Sequence, residues 1–136
     1  MSDPSGDRSP RAAHPPLLIV DGANVVGSVP DGWWRDRRGA AERLRSRLES
    51  VAVDGLEGLS GPLEVVLVVE GRARGVEASE HVRVVDASAV GDDTIVDVVA
   101  EADPHRDRVV VTADRELRAR VARLGARAIG PGAIPR

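Results

Sequence analysis

The segment LLIVDGANVVGS, residues 17–28, decides the fold of this chain because an apolar run ends there in a carboxylate. Four consecutive aliphatic residues, 17–20, predict a strand that is covered on both faces. Asp21 follows directly, and a turn of small residues leads to Asn24 three positions later. In open α/β sheets, ligands bind at the carboxyl ends of the strands. Asp21 and Asn24 are therefore the first candidate site residues.

Similar apolar runs recur along the chain and alternate with helical patterns. Further strands are predicted at 63–69, 82–85, 108–112 and 126–129, helices at 36–52, 93–102 and 115–124, and a loop at 54–62. Each predicted helix carries a stripe of apolar residues at helical spacing. The resulting order, β-α-β-β-α-β-α-β, predicts an α/β fold, a three-layer sandwich with a central, mostly parallel β-sheet.

The length of 136 residues predicts a single folded domain, at 17–130. Residues 1–16 are rich in proline, serine and charge, which predicts a disordered N-terminal tail, and 131–136 are expected to form a short C-terminal tail. The chain has no cysteine, so disulfides and thiolate metal sites are excluded. No apolar stretch approaches ~18 residues, and no signal peptide is visible, so the expected location is cytoplasmic with no membrane partner.

The net charge of −3 provides no general attraction to nucleic acid, and all 19 basic residues are arginine. A phosphotransfer receiver domain is excluded because it needs a lysine beside its acceptor aspartate. A dehalogenase-like phosphatase needs a second aspartate two positions after the first, where this chain has Ala23. A P-loop is excluded by the lack of any Gly-Lys pair, and the dinucleotide-binding fingerprint is missing after the first strand.

Acidic residues recur at the predicted carboxyl ends of the strands. Besides Asp21, they are Glu70 after the second strand, Asp92, Asp93 and Asp97 at the middle helix, and Asp114 after the fourth strand. Carboxylates gathered at one edge stay ionised together only around a cation, and oxygen ligands favour Mg²⁺ or Mn²⁺. Each acid also has a structural explanation: Asp92 is best explained as a helix cap, and Asp114 caps the last helix about as well as it binds metal.

Taken together, VDGANVVGS, WWRDR, VVLVVEG, GDDTIVD and VTADREL resemble the YacP-like branch of NYN domains, within the PIN-like nuclease group. The resemblance runs from about residue 17 to residue 130. It implies a compact α/β fold with a central parallel sheet and a metal-dependent ribonuclease, expected to be an endonuclease, with its acids gathered at the strand ends. Glu70 stands where relatives often have an aspartate.

The resemblance assigns the candidate catalytic residues by position. Asp21 matches the first acid of the family and Asn24 its polar partner, and Asp93, Asp97 and Asp114 match the later acids. We expect the four aspartates to hold one or two Mg²⁺ or Mn²⁺ ions, with Asp97 binding directly or through a neighbour. Such ions activate water for attack on a phosphodiester.

RNA is the expected partner, and its contacts must come from basic and aromatic residues because acids repel phosphates. Arg35, Arg38 and Arg115 lie nearest the predicted site, and Trp33 can stack on an unpaired base or pack as a lid on the first helix. A ribosome-associated messenger or a structured RNA would fit some relatives. PIN-like domains often dimerise, so a homodimer is also expected.

Two alternatives remain open at this stage. The chain can be a catalytically inactive RNA-binding adaptor that keeps the fold, or a PIN-type toxin of a toxin–antitoxin pair. The short length suits a toxin, although DGANVVGS looks less like that branch. Stabilisation by Mn²⁺ distinguishes a working site from an adaptor.

Overall fold

The computed structural model describes residues 14–136, so the predicted tail at 1–16 lies outside the described residues except for its last three positions. The strands are β1 (Leu17–Asp21), β2 (Gly55–Leu56), β3 (Leu59–Ser60), β4 (Glu64–Val69), β5 (Val82–Asp86), β6 (Arg108–Val111) and β7 (Arg127–Ile129). Five of them form one sheet in the order β5-β4-β1-β6-β7, with every neighbouring pair parallel. The predicted parallel sheet is confirmed.

The helices are α1 (Gly22–Gly27), α2 (Arg37–Asp54), α3 (Gly91–Glu101) and α4 (Arg115–Arg123), and short 3₁₀ turns occupy Trp33–Arg35, Gly71–Ala73 and Pro131–Ala133. Two elements differ from the sequence prediction. The turn expected after β1 is helix α1, and the loop expected at 54–62 contains the β2–β3 hairpin.

The core lies in two layers, one on each face of the sheet, because β1 is apolar on both sides. Leu18 and Val20 face the layer that α2 covers, through residues such as Leu44 and Leu48. Leu17 and Ile19 face the opposite layer, which α3 and α4 cover. Successive strand residues point to opposite faces, so a strand in the middle of a sandwich needs apolar residues at every position. The predicted three-layer α/β sandwich is confirmed.

A single buried arginine ties the ends of α3 and α4 to the sheet. Arg108 begins β6 and is 4% exposed. Its guanidinium donates to the backbone oxygens of Val99, at 3.1 Å, and Leu124, at 2.6 Å, which lie at the C-terminal ends of the two helices. A cation there gives carbonyls in the last turns of the two helices a further donor and interacts favourably with both helix dipoles.

The chain crosses from β4 to β5 without a helix, through a segment at 74–81 that lies against α2. Three side chains of α2 hold it: Arg38 donates to the Gly75 carbonyl at 2.8 Å, Arg45 donates to the Glu77 carbonyl at 2.6 Å, and Glu49 accepts from Ser79 and His81. These contacts supply partners to an exposed stretch of backbone, so the crossover segment has a defined path.

The Glu49–His81 contact makes this segment sensitive to pH. Hydrogen bonds from Ser79 and from His81 lower the pKa of Glu49 from its usual 4.5 to about 2. In turn the hydrogen bond to Glu49, at 2.9 Å, raises the pKa of His81 above its usual 6.5. The contribution of Glu49 to folding stability is complete above pH 4.5 and is lost as the pH falls towards 2. The contribution of His81 is complete below pH 6.5 and is lost as the pH rises through its raised pKa.

We therefore expect the midpoint of the His81 ring titration to lie above 6.5 and to fall back towards that value in Glu49→Gln. Nuclear magnetic resonance of the imidazole protons measures both midpoints. Glu42→Gln is the matched control, because Glu42 is an exposed residue two turns earlier on the same helix. If Glu49→Gln left the midpoint unchanged, the Glu49 carboxylate would not face the His81 ring in solution.

No helix within residues 14–136 is long and apolar enough to cross a membrane.

Candidate active site

Asp21 is a buried carboxylate at the carboxyl end of the central strand, with 5% of its surface exposed. Its Oδ2 accepts a hydrogen bond from the Thr112 hydroxyl at 2.8 Å, and its Oδ1 accepts from the backbone N–H of Asn24 at 3.4 Å. The second contact makes Asp21 the N-cap of α1. Both oxygens are thereby oriented, and each still has a lone pair for a further ligand.

Thr112 links the end of β1 to the end of β6, which lies beside it in the sheet. Its hydroxyl donates to Asp21 and accepts from the backbone N–H of Asp114 at 3.1 Å. Asn24 adds a second link, because its side-chain oxygen accepts from the backbone N–H of Ala113 at 2.9 Å. Asp114 in turn caps α4 through Leu117, at 2.9 Å, which confirms the capping role expected for it. The segments carrying Asp21 and Asp114 are thus brought together.

Glu70 and Asp92 reach the same edge from β4 and α3. Glu70 follows β4, is half-buried, and accepts a hydrogen bond from the backbone N–H of Gly91 at 3.2 Å. A Cβ at Gly91 would stand 3.1 Å from the Glu70 carboxylate, so the glycine permits this close approach. The interpretation of Asp92 as a helix cap is wrong, because Val90 is the N-cap of α3 and Asp92 is the second residue of the helix.

The electrostatics identify which acids share the site. Burial raises the pKa of Asp21, the hydrogen bonds from Thr112 and Asn24 oppose this shift, and the charges of Asp92 and Glu70 add to it. Burial also raises the pKa of Asp92, the charges of Asp114, Glu70 and Asp93 add to this shift, and Arg120 opposes it. Asp21, Glu70, Asp92 and Asp114 therefore form one interacting group, which we call the acidic cluster.

Asp93 adds to the negative charge around Asp92, but Asp93 and Asp97 both lie on the exposed side of α3, and their predicted role as metal ligands stays a prediction. Asp93 is 70% exposed and forms an ion pair of 3.0 Å with Arg120 of α4, and Asp97 is exposed one turn further along. The sequence contained a signal for which of these acids faces the sheet. Asp92 lies three positions before Ile95 and seven before Val99, so it shares the buried stripe of α3, whereas Asp93 and Asp97 lie off it.

Two of the predicted RNA-binding residues are exposed arginines, and the other two, Arg38 and Trp33, are in contact with other parts of the protein. Arg35 and Arg115 are exposed, and the Arg35 guanidinium stands 5.8 Å from the centre of the Trp34 ring. Arg38 is engaged with the carbonyl of Gly75, so any contact with RNA would share a guanidinium already used by the crossover segment. Trp33 is half-buried and meets Trp34 edge to face at 6.0 Å between ring centres.

A cleft of about 250 Å³ opens beside the acidic cluster, between α1, α2 and the turn at Gly71–Ala73. We call it the Trp33 cleft, and its lining includes Val26, Trp33, Arg37, Ala41, Val69 and Glu70. Glu70 belongs both to the cleft and to the acidic cluster, and Gly22 of the lining follows Asp21 directly. The cleft and the cluster are therefore continuous.

The donor chemistry of the acidic cluster fits a hard divalent cation, because its side-chain donors are all carboxylate oxygens. Within residues 14–136, no three acidic or histidine side chains are close enough to enclose an ion by themselves. Mg²⁺ usually keeps several waters and takes only one or two protein carboxylates together with substrate phosphates. The cluster fits that open mode of binding and not a closed cage.

The parallel sheet, the helices on both faces and the acids at one edge define a PIN-like α/β sandwich. Among solved structures, the chain is similar to Rae1 (YacP) from Bacillus subtilis, in a crystal structure of a single-substitution mutant, with a TM-score of 0.70. The match has 17% sequence identity and covers 88% of this chain and 72% of that one. The chain matches no protein-family model, and no curated protein sequence matches it significantly. The YacP-like fold inferred from the sequence is confirmed.

Thr112 is the site residue that the sequence analysis missed. It is completely buried and has polar partners on both sides, Asp21 and the backbone of Asp114. Threonine is common in strands for packing reasons alone, so VVVTAD did not distinguish a polar role from a structural one. A threonine in place of a fourth valine, two positions before a candidate acid, was the available signal.

Proposed function

We propose that this chain is a metal-dependent ribonuclease that hydrolyses RNA phosphodiester bonds at the acidic cluster. The observation that carries the proposal is Asp21, a carboxylate 5% exposed that lies within the fields of Asp92 and Glu70. Burying like charges together destabilises a fold unless a cation compensates them, and such arrangements concentrate at functional sites. The YacP-like fold supports the same reaction, because the resemblance in sequence is to metal-dependent ribonucleases.

We assign the Mg²⁺ or Mn²⁺ ligands to Asp21, Asp92 and Asp114, with Glu70 at the edge of the set. When bound, such an ion activates water for in-line attack and neutralises charge on the phosphoryl group. Asp21 and Asp114 keep a common orientation because the Thr112 hydroxyl bonds to both segments. The side-chain oxygen of Asn24 accepts a hydrogen bond from the backbone N–H of Ala113. The side-chain N–H groups of Asn24 can therefore orient a water or a phosphate oxygen.

Phosphate contact is assigned to exposed arginines near the cluster. Arg115 directly follows Asp114, and Arg35 lies beside the tryptophan pair. A guanidinium can hold two phosphate oxygens at once, which would fix the register of the strand against an acidic site. The chain therefore combines a negative reaction centre with positive groups at its margin.

The adaptor is the second candidate, and one observation favours it. Within the described residues no closed set of three ligands is present, and a protein that only binds RNA would not need one. The adaptor would bind RNA through the same arginines and would show neither cleavage nor a response to Mn²⁺.

The test is a panel of labelled single-stranded and hairpin RNA and DNA oligomers incubated with Mg²⁺, Mn²⁺ or EDTA. We expect RNA cleavage with either metal and none with EDTA, and a rise in melting temperature with Mn²⁺ that reflects about 2.7 kcal/mol at a hundredfold excess over Kd. Asp92→Asn should lose cleavage and Asp93→Asn should keep most of it. Metal-independent binding without cleavage would establish the adaptor instead.

The toxin alternative, the homodimer, the ribosome-associated or structured RNA and the cytoplasmic location stay predictions.

A further inference from the structure

We propose that the Trp33 cleft holds one unpaired base of the RNA, so that the enzyme anchors a nucleotide next to the phosphate that it cleaves. This inference rests on the proposed ribonuclease function and names how that site grips its substrate. Three features of the cleft carry it: its size and lining, its position relative to the acidic cluster, and the charge at its mouth.

The size and lining suit one flat, apolar ring system. The cleft measures about 250 Å³, which is just below the roughly 300–1,000 Å³ of pockets for drug-sized ligands. Val26, Ala41 and Val69 form an apolar floor, and Trp33 forms an aromatic wall. Bases stack on aromatic side chains regardless of sequence, because every base has a π-face. A paired base is stacked within a helix and cannot enter, so the occupant is unpaired.

The position places the occupant beside the reacting groups. Glu70 lines the cleft and accepts from the backbone that carries Asp92, and Gly22 of the lining follows Asp21. A base seated against Trp33 would therefore have its own sugar and phosphate at the boundary with the acidic cluster. Holding the nucleotide there turns the attack on its phosphate into a reaction between fixed groups.

The charge at the mouth favours a nucleotide over an apolar peptide side chain. Arg37 lines the cleft, and its guanidinium stands 5.3 Å from the centre of the Trp33 ring. Within residues 14–136 no carboxylate lies within ion-pair distance of Arg37. A cation over an aromatic ring is attracted to its π-face, and it keeps its charge for an anion. A nucleotide supplies the ring and the anion together, whereas an apolar peptide side chain supplies at most the ring.

The chain provides its own probe for this inference. It has two tryptophans, no tyrosine and no phenylalanine, so Trp34→Phe leaves Trp33 as the single tryptophan. Trp34 is 55% exposed and does not line the cleft, which makes it the tryptophan to replace. The measurement is the Trp33 fluorescence of this variant, titrated in EDTA with a short single-stranded adenylate RNA or with an abasic ribose-phosphate chain of the same length.

We expect the adenylate RNA to quench Trp33 and to bind about tenfold more tightly than the abasic chain, because only the former can stack. Ala23→Leu tests the cleft without touching the core, since Ala23 is an exposed residue of the lining. It should remove the quenching and most of the tenfold preference. Ala119→Leu, the same change at an exposed position of α4, should alter neither.

Equal binding and equal quenching by the two ligands would overturn the inference, as would an Ala23→Leu variant that binds adenylate RNA like its parent. The outcome is separable from that of the proposed function, because binding is measured without metal. Base-dependent quenching of Trp33 fluorescence with no cleavage under any metal would support the base-binding cleft and the adaptor function. Cleavage without base-dependent quenching would support the ribonuclease function and refute base binding in the Trp33 cleft.

Discussion

Asp21→Asn is expected to lower the rate of RNA cleavage by about 10²- to 10³-fold or more while the protein stays folded. The substitution removes the one charge at the centre of the acidic cluster, so the cluster loses its best-oriented metal ligand. It keeps the shape of the side chain. Its single oxygen can accept either from the Thr112 hydroxyl or from the backbone N–H of Asn24, so one of the two hydrogen bonds of Asp21 is lost.

The stability of the same variant tests the electrostatic argument. Because burial raises the pKa of Asp21, the folded protein holds this proton more tightly than the unfolded chain does. The carboxylate therefore costs stability as pH rises above its ordinary value of 3.8 and through its raised pKa. Asparagine removes that cost but loses one hydrogen bond, so without metal its melting temperature at neutral pH should stay close to that of the unmodified protein, and the stabilisation by Mn²⁺ should disappear.

The test measures cleavage of a labelled RNA and thermal unfolding with and without Mn²⁺. The control variant is Asp54→Asn. Asp54 is an exposed aspartate at the end of α2, away from the acidic cluster, so its substitution should leave cleavage and the Mn²⁺ response unchanged. Cleavage by Asp21→Asn at the rate of the control would refute the assignment of the reaction to this edge of the sheet.

Gly22→Ala is expected to lower the free energy of unfolding by about 2–3 kcal/mol, the scale of an overpacked core, and the melting temperature by roughly 10 °C. The added Cβ would stand 2.5 Å from the carbonyl oxygen of Val68 and 3.2 Å from Cδ1 of Leu67. The first of these atoms belongs to the backbone of β4, which is paired on both sides and cannot move aside. Helix α1 would have to lift, and Asn24 would move away from Ala113.

Gly27→Ala is the matched control because it makes the same change at the other end of the same helix. The nearest atom to a Cβ there is Cζ2 of Trp33, at 3.8 Å, which is an ordinary contact. This variant should be neutral or stabilised by up to about 1 kcal/mol through a less flexible unfolded chain. Urea and thermal unfolding followed by circular dichroism measure both variants. Identical unfolding curves would mean that α1 does not approach β4 this closely in solution.

The fold was predictable because its signals are local. Strands β1, β4 and β6 are runs of valine, leucine and isoleucine, and such runs are typical of parallel strands with both faces covered. Helix α1 escaped prediction because its six residues are too few to display helical periodicity. It is held by the Asp21 cap and by Val25 and Val26, which are buried against the sheet. Those stabilising contacts are tertiary.

The candidate site was predictable in outline and not in detail. Parallel strands deliver their carboxyl ends to one edge, so Asp21 and Asp114 were expected to meet. The choice between Asp92 and Asp93 depends on a rotation of about 100° around α3, and tertiary packing sets that rotation. Packing turns Asp92 towards Asp114 and Glu70, and Asp93 towards Arg120. The use of Arg38 by the crossover segment likewise depends on a contact 37 residues away.

The sequence by itself determined the α/β class, the parallel sheet and the strand end at which Asp21 stands, because burial of an apolar run and its abrupt end are properties of neighbouring residues. Only the tertiary structure decided which acids interact electrostatically and that Thr112 links the segments of two of them. It also decided that a cleft lined by Trp33 opens beside them. These features depend on distances between segments that are far apart in the chain, and such distances are set when the layers pack.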